Sequence, residues 1–198
     1  MMDTTLSESS FCQVEHLHEL ECIFDPAIQL AVWRRPADAA IARYCAALTQ
    51  RSRIGQRQVL APGSAFDAHW LPELPGRGSL LADIARLSEL FAVLVDPPQL
   101  GLRLEMLERP MCPKFHVDRV ALRMLCTYLG AGTEWVDVQS PADVSAQTPI
   151  QTVPTFAVAL CKGSSWPGNT SRGLVHRSAA ATVSAPRVLL AIDGIWAH

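Results

Sequence analysis

The sequence carries no excess of charge of either sign: 17 lysines and arginines stand against 19 aspartates and glutamates, a formal net of −2 over 198 residues. Nucleic acid and anionic lipid both demand a basic field. The small clusters Arg34-Arg35 and Arg51, Arg53, Arg57 do not make one, so no nucleic-acid partner is expected. Long apolar runs are missing as well, none coming near the roughly 20 residues that cross a bilayer. The opening stretch M-M-D-T-T-L-S-E-S-S has neither the basic start nor the apolar centre of a secretory signal. A cytoplasmic protein with no membrane partner is expected. Paired cysteines are the third absence. Cys12, Cys22, Cys45, Cys112, Cys126 and Cys161 are scattered with no C-x-x-C, which suits reduced thiols in a core better than a disulfide framework or a four-cysteine zinc site.

What is present is ordinary globular composition, 49% hydrophobic, with enough chain to bury one full core. A single domain over 1–198 is expected, with 1–98 as helical and irregular support and 99–198 as a β core. Ile28 to Trp33 reads as a short strand. Asp38 reads as the N-cap of a helix to about Gln50, with Ile41, Tyr44, Cys45 and Leu48 on one face. Residues 54–79, punctuated by Pro62, Gly63, Pro72, Pro75 and Gly76, read as a long irregular connection anchored by Trp70. A second helix follows, capped by Ser79, with Leu80, Ile84, Leu87, Phe91 and Leu94 as its stripe and Pro97-Pro98 as its stop.

From residue 99 the hydrophobic period changes to two. Leu100, Leu102, Leu104 and Met106 alternate with Gly101, Arg103 and Glu105, as in a strand with one buried face. Further strands are expected at Val120–Tyr128, Glu134–Val138, Thr155–Lys162, Gly173–Ser178 and Arg187–Ile192, a spacing typical of a sandwich or open barrel.

Within this β half, His116 and Asp118 stand two residues apart at the start of an apolar strand, so both leave the same face. By itself an H-x-D of this kind is a weak signal, since a surface or satisfied histidine is commoner. His176, on a later strand, changes the weighing: two histidines and one carboxylate make the facial triad that holds Fe(II) with open positions left for a chelating co-substrate and O₂. Arg187 opens the strand R-V-L-L-A-I-D with Leu189 and Ala191 on its face. An arginine turned into a barrel needs an anion, and its planar fork suits a dicarboxylate's far end.

The segment from about Leu100 to Asp193 resembles the catalytic core of the Fe(II)- and 2-oxoglutarate-dependent dioxygenases, particularly the prolyl-hydroxylase-like branch. That pattern runs H-x-D, a strand ending Y-L-N, a G-G-E-T-like turn, a glycine before the last core strands, H-R-V and a distal arginine. Here His116-Val117-Asp118, Thr127-Tyr128-Leu129-Gly130, Gly132-Thr133-Glu134, Gly163, His176-Arg177-Ser178 and Arg187 stand in that order. More narrowly, C-P-K-F-H-V-D, C-T-Y-L-G-A-G-T-E-W, K-G-S-S-W-P-G and G-L-V-H-R-S resemble a bacterial family of unknown function, the one numbered 1826. The chain departs from the superfamily where Gly130 replaces the asparagine and Ala131-Gly132 the double glycine, and residues 1–98 match none of its substrate-binding lids.

The resemblance implies an α+β fold with a double-stranded β-helix (jelly-roll, cupin-like) core in the C-terminal half. It implies His116, Asp118 and His176 as metal ligands and the catalytic centre, and Arg187 as the anchor of 2-oxoglutarate. Tyr128 shares strand parity with the ligands if no bulge intervenes, which would let its hydroxyl donate to the same carboxylate. The expected activity is hydroxylation of an unidentified small molecule or protein side chain with Fe(II) and 2-oxoglutarate. The alternatives are a zinc protein of the same β fold serving in metal handling, which accepts this ligand set, and a binding module without turnover.

Arg177, Ser178, Lys162, Trp166, Glu134 and Trp135 are expected near the mouth in rim, turn or packing roles, and Cys112, four residues before His116, as a small buried residue, with a place near the metal as the alternative. The run Cys12, His16, His18, Cys22 offers zinc-type donors. On a helix its two i, i+4 pairs diverge and on a strand they spread about 33 Å, so no single ion sees all four; a solvated polar segment is expected, with a two-ligand accessory site as the alternative.

Overall fold

The computed structural model describes residues 10–51, 55–170 and 172–196. The stretch weighed as a secretory signal lies, apart from Ser10, outside the described residues, as does Arg53. Ten strands form two sheets: β1 (Phe11–Val14), β2 (Leu30–Trp33), β3 (Gly55–Leu60), β4 (Gln99–Leu107), β5 (Leu122–Leu129), β6 (Glu134–Val136), β7 (Gln151–Thr152), β8 (Val158–Lys162), β9 (Val175–Arg177) and β10 (Arg187–Ile195). The larger sheet has seven strands in the order β1-β2-β8-β5-β10-β4-β3, and the smaller three in the order β7-β6-β9. Its strands are antiparallel except for β1 with β2. No helix of the described residues is long and apolar enough to cross a membrane.

Both faces of the larger sheet are covered, and period-two alternation sorts its residues between them. On the outer face Leu122, Met124, Cys126 and Tyr128 of β5, Val158 and Leu160 of β8, and Val188, Leu190 and Ile192 of β10 join a core closed by two helices. The first, α1 (Ala39–Thr49), starts where the Asp38 carboxylate accepts from the amides of Ala40 and Ile41, as expected of that cap. The second, α2 (Arg77–Val95), buries Leu80, Ile84, Leu87 and Phe91. It begins two residues before Ser79, with left-handed Gly76 as its N-cap. On the inner face Leu125, Ala159, Cys161, Leu189 and Ala191 meet Trp135, Val153 and Leu174 from the smaller sheet's side.

Two expectations are corrected. The β core is not confined to residues 99–198, because β1, β2 and β3 from the first 60 residues complete the larger sheet at both edges. β3 was hidden inside the expected irregular connection because its sequence, G-Q-R-Q-V-L, is mostly polar. An edge strand needs only its backbone pairing to β4, which runs from Gly55 opposite Glu105 to Leu60 opposite Leu100. The second correction concerns the cysteines: Cys12 and Cys22 form a disulfide, tying β1 to a 3-10 helix at Leu17–Phe24. His16 and His18 between them stack ring on ring with centroids 5.8 Å apart. Cys45, Cys126 and Cys161 are buried free thiols, as expected.

Candidate metal centre

His176 sits on β9, and His116 lies in the loop before β5 as an isolated antiparallel bridge to it. The two residues exchange both backbone hydrogen bonds, His116 N to His176 O and the reverse, each 3.0 Å. Directly opposed residues of an antiparallel pair point their side chains the same way, and the two imidazole rings lie 4.6 Å apart. Strand parity between His116 and Asp118 is therefore not what brings the ligands together, since β5 begins only at Leu122. Asp118 is placed by its loop: its carbonyl accepts from the Ser164 amide at 2.8 Å. That approach requires Gly163, where a Cβ would sit 2.1 Å from the Val120 carbonyl oxygen.

One donor atom from each of His116, Asp118 and His176 lies within 4.8 Å of the other two. His116 Nε2 stands 3.5 Å from one carboxylate oxygen of Asp118, and His176 Nε2 3.3 Å from the other. Adjacent donors about 2.1 Å from one ion stand roughly 3 Å apart, so little movement would be needed to share a cation. His116 Nδ1 faces the Lys114 carbonyl at 2.9 Å and His176 Nδ1 the Leu174 carbonyl at 3.0 Å. A carbonyl only accepts, so each Nδ1 carries the proton and each Nε2 turns a lone pair toward Asp118. Two lone pairs converging on a carboxylate repel unless a cation or a proton sits among them. The donor set thus fits a divalent metal.

The charges around Asp118 agree. With a proton in place of a metal on each Nε2, burial pushes the Asp118 carboxyl up, but the hydrogen bonds then donated by His116 and His176 and the Arg123 guanidinium outweigh this and hold it far below the usual carboxylate range. His116 is raised, chiefly by its hydrogen bond to Asp118 and against its partial burial. Arg123 Nη1 donates to Asp118 at 2.6 Å, while its Nε and Nη2 grip both oxygens of Asp193 at 2.6 and 2.8 Å. Sequence reasoning missed Arg123. The signal was there, since Arg123 and Leu125 alternate with the buried Leu122, Met124 and Cys126 and so face the ligands.

Arg187 lines the same cavity as the triad and is 0% exposed. Its Nε donates to the Ala131 carbonyl, Nη1 to Ser178 Oγ at 2.8 Å and Nη2 to Thr127 Oγ1 at 3.5 Å. No carboxylate among the described residues forms an ion pair with it. Burial pushes its pKa down, countered in part by Glu134 at longer range. Gly130 makes room for it: φ is +82°, and a Cβ there would meet the Arg187 Cγ at 2.9 Å and the Pro186 carbonyl oxygen at 2.6 Å.

Tyr128 is not part of this centre. It lies on the opposite face of β5, packs edge-on against Phe156 and donates its hydroxyl to Asp83 Oδ2 at 2.7 Å. No parity links it to His116 and Asp118, because those residues precede the strand. Arg35 clasps the same Asp83 carboxylate at 2.5 and 2.7 Å, fastening α2 to the back of the sheet. Arg177 and Ser178 do line the cavity, Arg177 paired with Glu134 at 2.6 Å and stacked on Phe115 at 4.4 Å. Cys112 lines it too and is exposed rather than buried. Trp135 packs between the sheets on Phe11, and Lys162 lies against Trp166 with its amine on the Asp25 carbonyl.

The chain belongs to the DUF1826 family, described as proteins of unknown function, whose model matches residues 15–193. No curated protein matches it in sequence. Among solved structures it is similar in fold to a prolyl-4-hydroxylase from Pseudomonas putida, with TM-score 0.51 and 13% identity over 92% of this chain and 100% of that one. It is likewise similar to the dioxygenase for auxin oxidation of rice, with TM-score 0.53 and 13% identity over 95% and 83% of the two chains. The Arabidopsis thaliana dioxygenase for auxin oxidation 1, solved as a 2-oxoglutarate complex, gives TM-score 0.53 and 8% identity over 96% and 94%. At such identities the likeness is one of fold, the jelly roll on which these oxygenases are built.

Proposed function

We propose that this DUF1826 protein is an Fe(II)- and 2-oxoglutarate-dependent dioxygenase that hydroxylates a small substrate. The observation that carries the reading is Arg187, a wholly buried guanidinium with no paired carboxylate among the described residues, opening into the cavity that holds the three donors. An ionised group buried without a counter-charge costs several kcal/mol, a cost that a bound carboxylate would remove. A zinc store would use the same donors but leaves Arg187 without a purpose.

In this reading His116, Asp118 and His176 hold Fe(II), their Nδ1 protons and the Arg123 bridge keeping the donor atoms aimed. Arg187, oriented by Ala131, Ser178 and Thr127, takes the distal carboxylate of 2-oxoglutarate through its planar fork. The inner-face residues Leu125, Leu189 and Ala191 wall the cavity and keep water off the reacting atoms. When bound, the iron supplies the oxygen chemistry: O₂, 2-oxoglutarate and a substrate C–H give the C–OH product, succinate and CO₂.

The test is an anaerobic titration of metal-free protein with Fe(II) and then 2-oxoglutarate, followed through the visible charge-transfer band of a chelated 2-oxo acid. The band is expected to form, to be lost in His176→Ala, and in Arg187→Met to need at least tenfold more 2-oxoglutarate. Iron binding without the band would overturn the reading.

A further inference from the structure

Two charged residues in the same cavity are left over once the metal donors, Arg187 and their partners are accounted for. Arg103 and Glu105 both line it, from the inner face of β4, and their side chains are only 16% and 14% exposed. They face it because Leu100, Leu102 and Leu104 take the outer core. The carboxylate nearest to Arg103 is that of Asp193, 3.6 Å away, and Arg123 already occupies both of its oxygens. Apart from that loose pair, the one other polar contact of the Arg103 side chain among the described residues is the Met111 sulfur, at 4.0 Å. Burial first, and then the neighbouring cations Arg123 and Arg57, depress its pKa against the opposing pull of Asp193 and Glu105. Glu105 has one partner, the Nε of Arg57 at 3.7 Å, on a side chain 68% exposed to solvent. Neither makes a hydrogen bond to a protein nitrogen or oxygen among the described residues.

Residues i and i+2 of a strand are about 6.8 Å apart and parallel; Glu105 acts on Arg103 at longer range, but no ion pair closes between them. They present a fixed cation and a fixed anion side by side at the metal cavity. Their shared wall is apolar, with Leu189 opposite Glu105 and Ala191 opposite Arg103 across the ladder. A ligand carrying a carboxylate and an ammonium on neighbouring atoms spans such a pair with one charge-assisted contact at each end.

We propose that Arg103 and Glu105 read the primary substrate, and that it is a free α-amino acid, its carboxylate on Arg103, its ammonium on Glu105 and its side chain turned toward the metal. For turnover this rests on the dioxygenase reading; for binding it does not. The planar guanidinium selects carboxylate over a neutral amide, and Glu105 selects a primary ammonium over an acylated amine. Losing either contact leaves a partly buried charge with only its loose protein partner, so discrimination of tenfold or more is expected at each end.

The experiment has two arms. In the first, metal-free protein is mixed with the twenty common amino acids and, separately, with their N-acetyl and primary-amide derivatives, and bound compounds are detected by saturation-transfer NMR. At least one free amino acid is expected to bind, with its two derivatives at least tenfold weaker. Arg103→Gln and Glu105→Gln should each abolish that signal, whereas Arg103→Lys keeps part of it. In the second arm, the amino acid found is added to the Fe(II)/2-oxoglutarate complex in air and succinate is measured, with stimulation of at least tenfold expected. No binding by any free amino acid, or equal binding by derivatives or by the two glutamine variants, overturns the proposal. Binding that passes these controls without a charge-transfer band upholds the site and sinks only the dioxygenase reading.

Discussion

Arg123 and Asp118 are joined by a hydrogen bond of 2.6 Å, and the same guanidinium closes a two-pronged pair on Asp193 of β10. The Asp118 carboxylate is thus fastened to the larger sheet although it sits in a loop. One of its oxygens is held and its rotation is stopped. Arg123→Gln removes that hold without touching a metal donor. Groups that orient a metal ligand are commonly worth 10–100-fold in affinity, and a loss in that range is expected for Fe(II) or Mn(II) by competition titration. Affinity within twofold of the parent protein would show that the loop alone positions Asp118.

On the other face of β5, Tyr128 and Asp83 form the counterpart of that pair. Tyr128→Phe deletes a hydroxyl donated to a carboxylate, which costs about 1.5–3 kcal/mol of stability. The charge-transfer titration should be unchanged, because the residue lies behind the sheet. A shift in 2-oxoglutarate affinity with no change in the denaturation midpoint would return Tyr128 to the site.

The contrast between Tyr128 and Arg187 shows what could be read from residue order. Arg187, His116, Asp118 and His176 are expected together from their types and order, and the structure brings the four into one cavity. Tyr128 was misassigned because strand parity was counted from His116, which belongs to a bridge and not to the strand. The helices were legible from their apolar stripes and the Asp38 cap. β1 and β3 were not, since a four-residue edge strand and a polar one draw their stability from long-range pairing that leaves little local pattern. The Cys12–Cys22 bond was invisible for a related reason: the intervening residues fold back through a 3-10 helix, neither the straight helix nor the straight strand considered.

Lys162 supplies a pH dependence. Its side chain is buried, its amine rests on the Asp25 carbonyl at 2.7 Å, and burial lowers its pKa from 10.5 to about 8. A base whose folded pKa is depressed binds fewer protons folded than unfolded between those two values. Unfolding stability from this group therefore rises with pH from about 8 to 10.5 and is flat on either side. The stability of the parent protein relative to Lys162→Met should increase over that window in chemical denaturation. A difference that stays constant from pH 7 to 11 would mean that the lysine is not desolvated in the folded protein.

Gly130 separates the two halves of the site. Alanine at this left-handed position is strained by roughly 1–3 kcal/mol, and its methyl would press on the Pro186 carbonyl and the aliphatic stem of Arg187. The stem can yield but the Pro186 carbonyl is backbone, so relief shifts the start of β10 and carries the guanidinium with it. His116, Asp118 and His176 are on other segments, held by the His116–His176 bridge and by Arg123. Gly130→Ala should weaken 2-oxoglutarate binding at least tenfold while Fe(II) affinity stays within about threefold, the two being resolved in one anaerobic titration. Equal loss of both would mean that Arg187 and the metal donors form one cooperative unit, and that the cavity does not divide into an iron end and a carboxylate end.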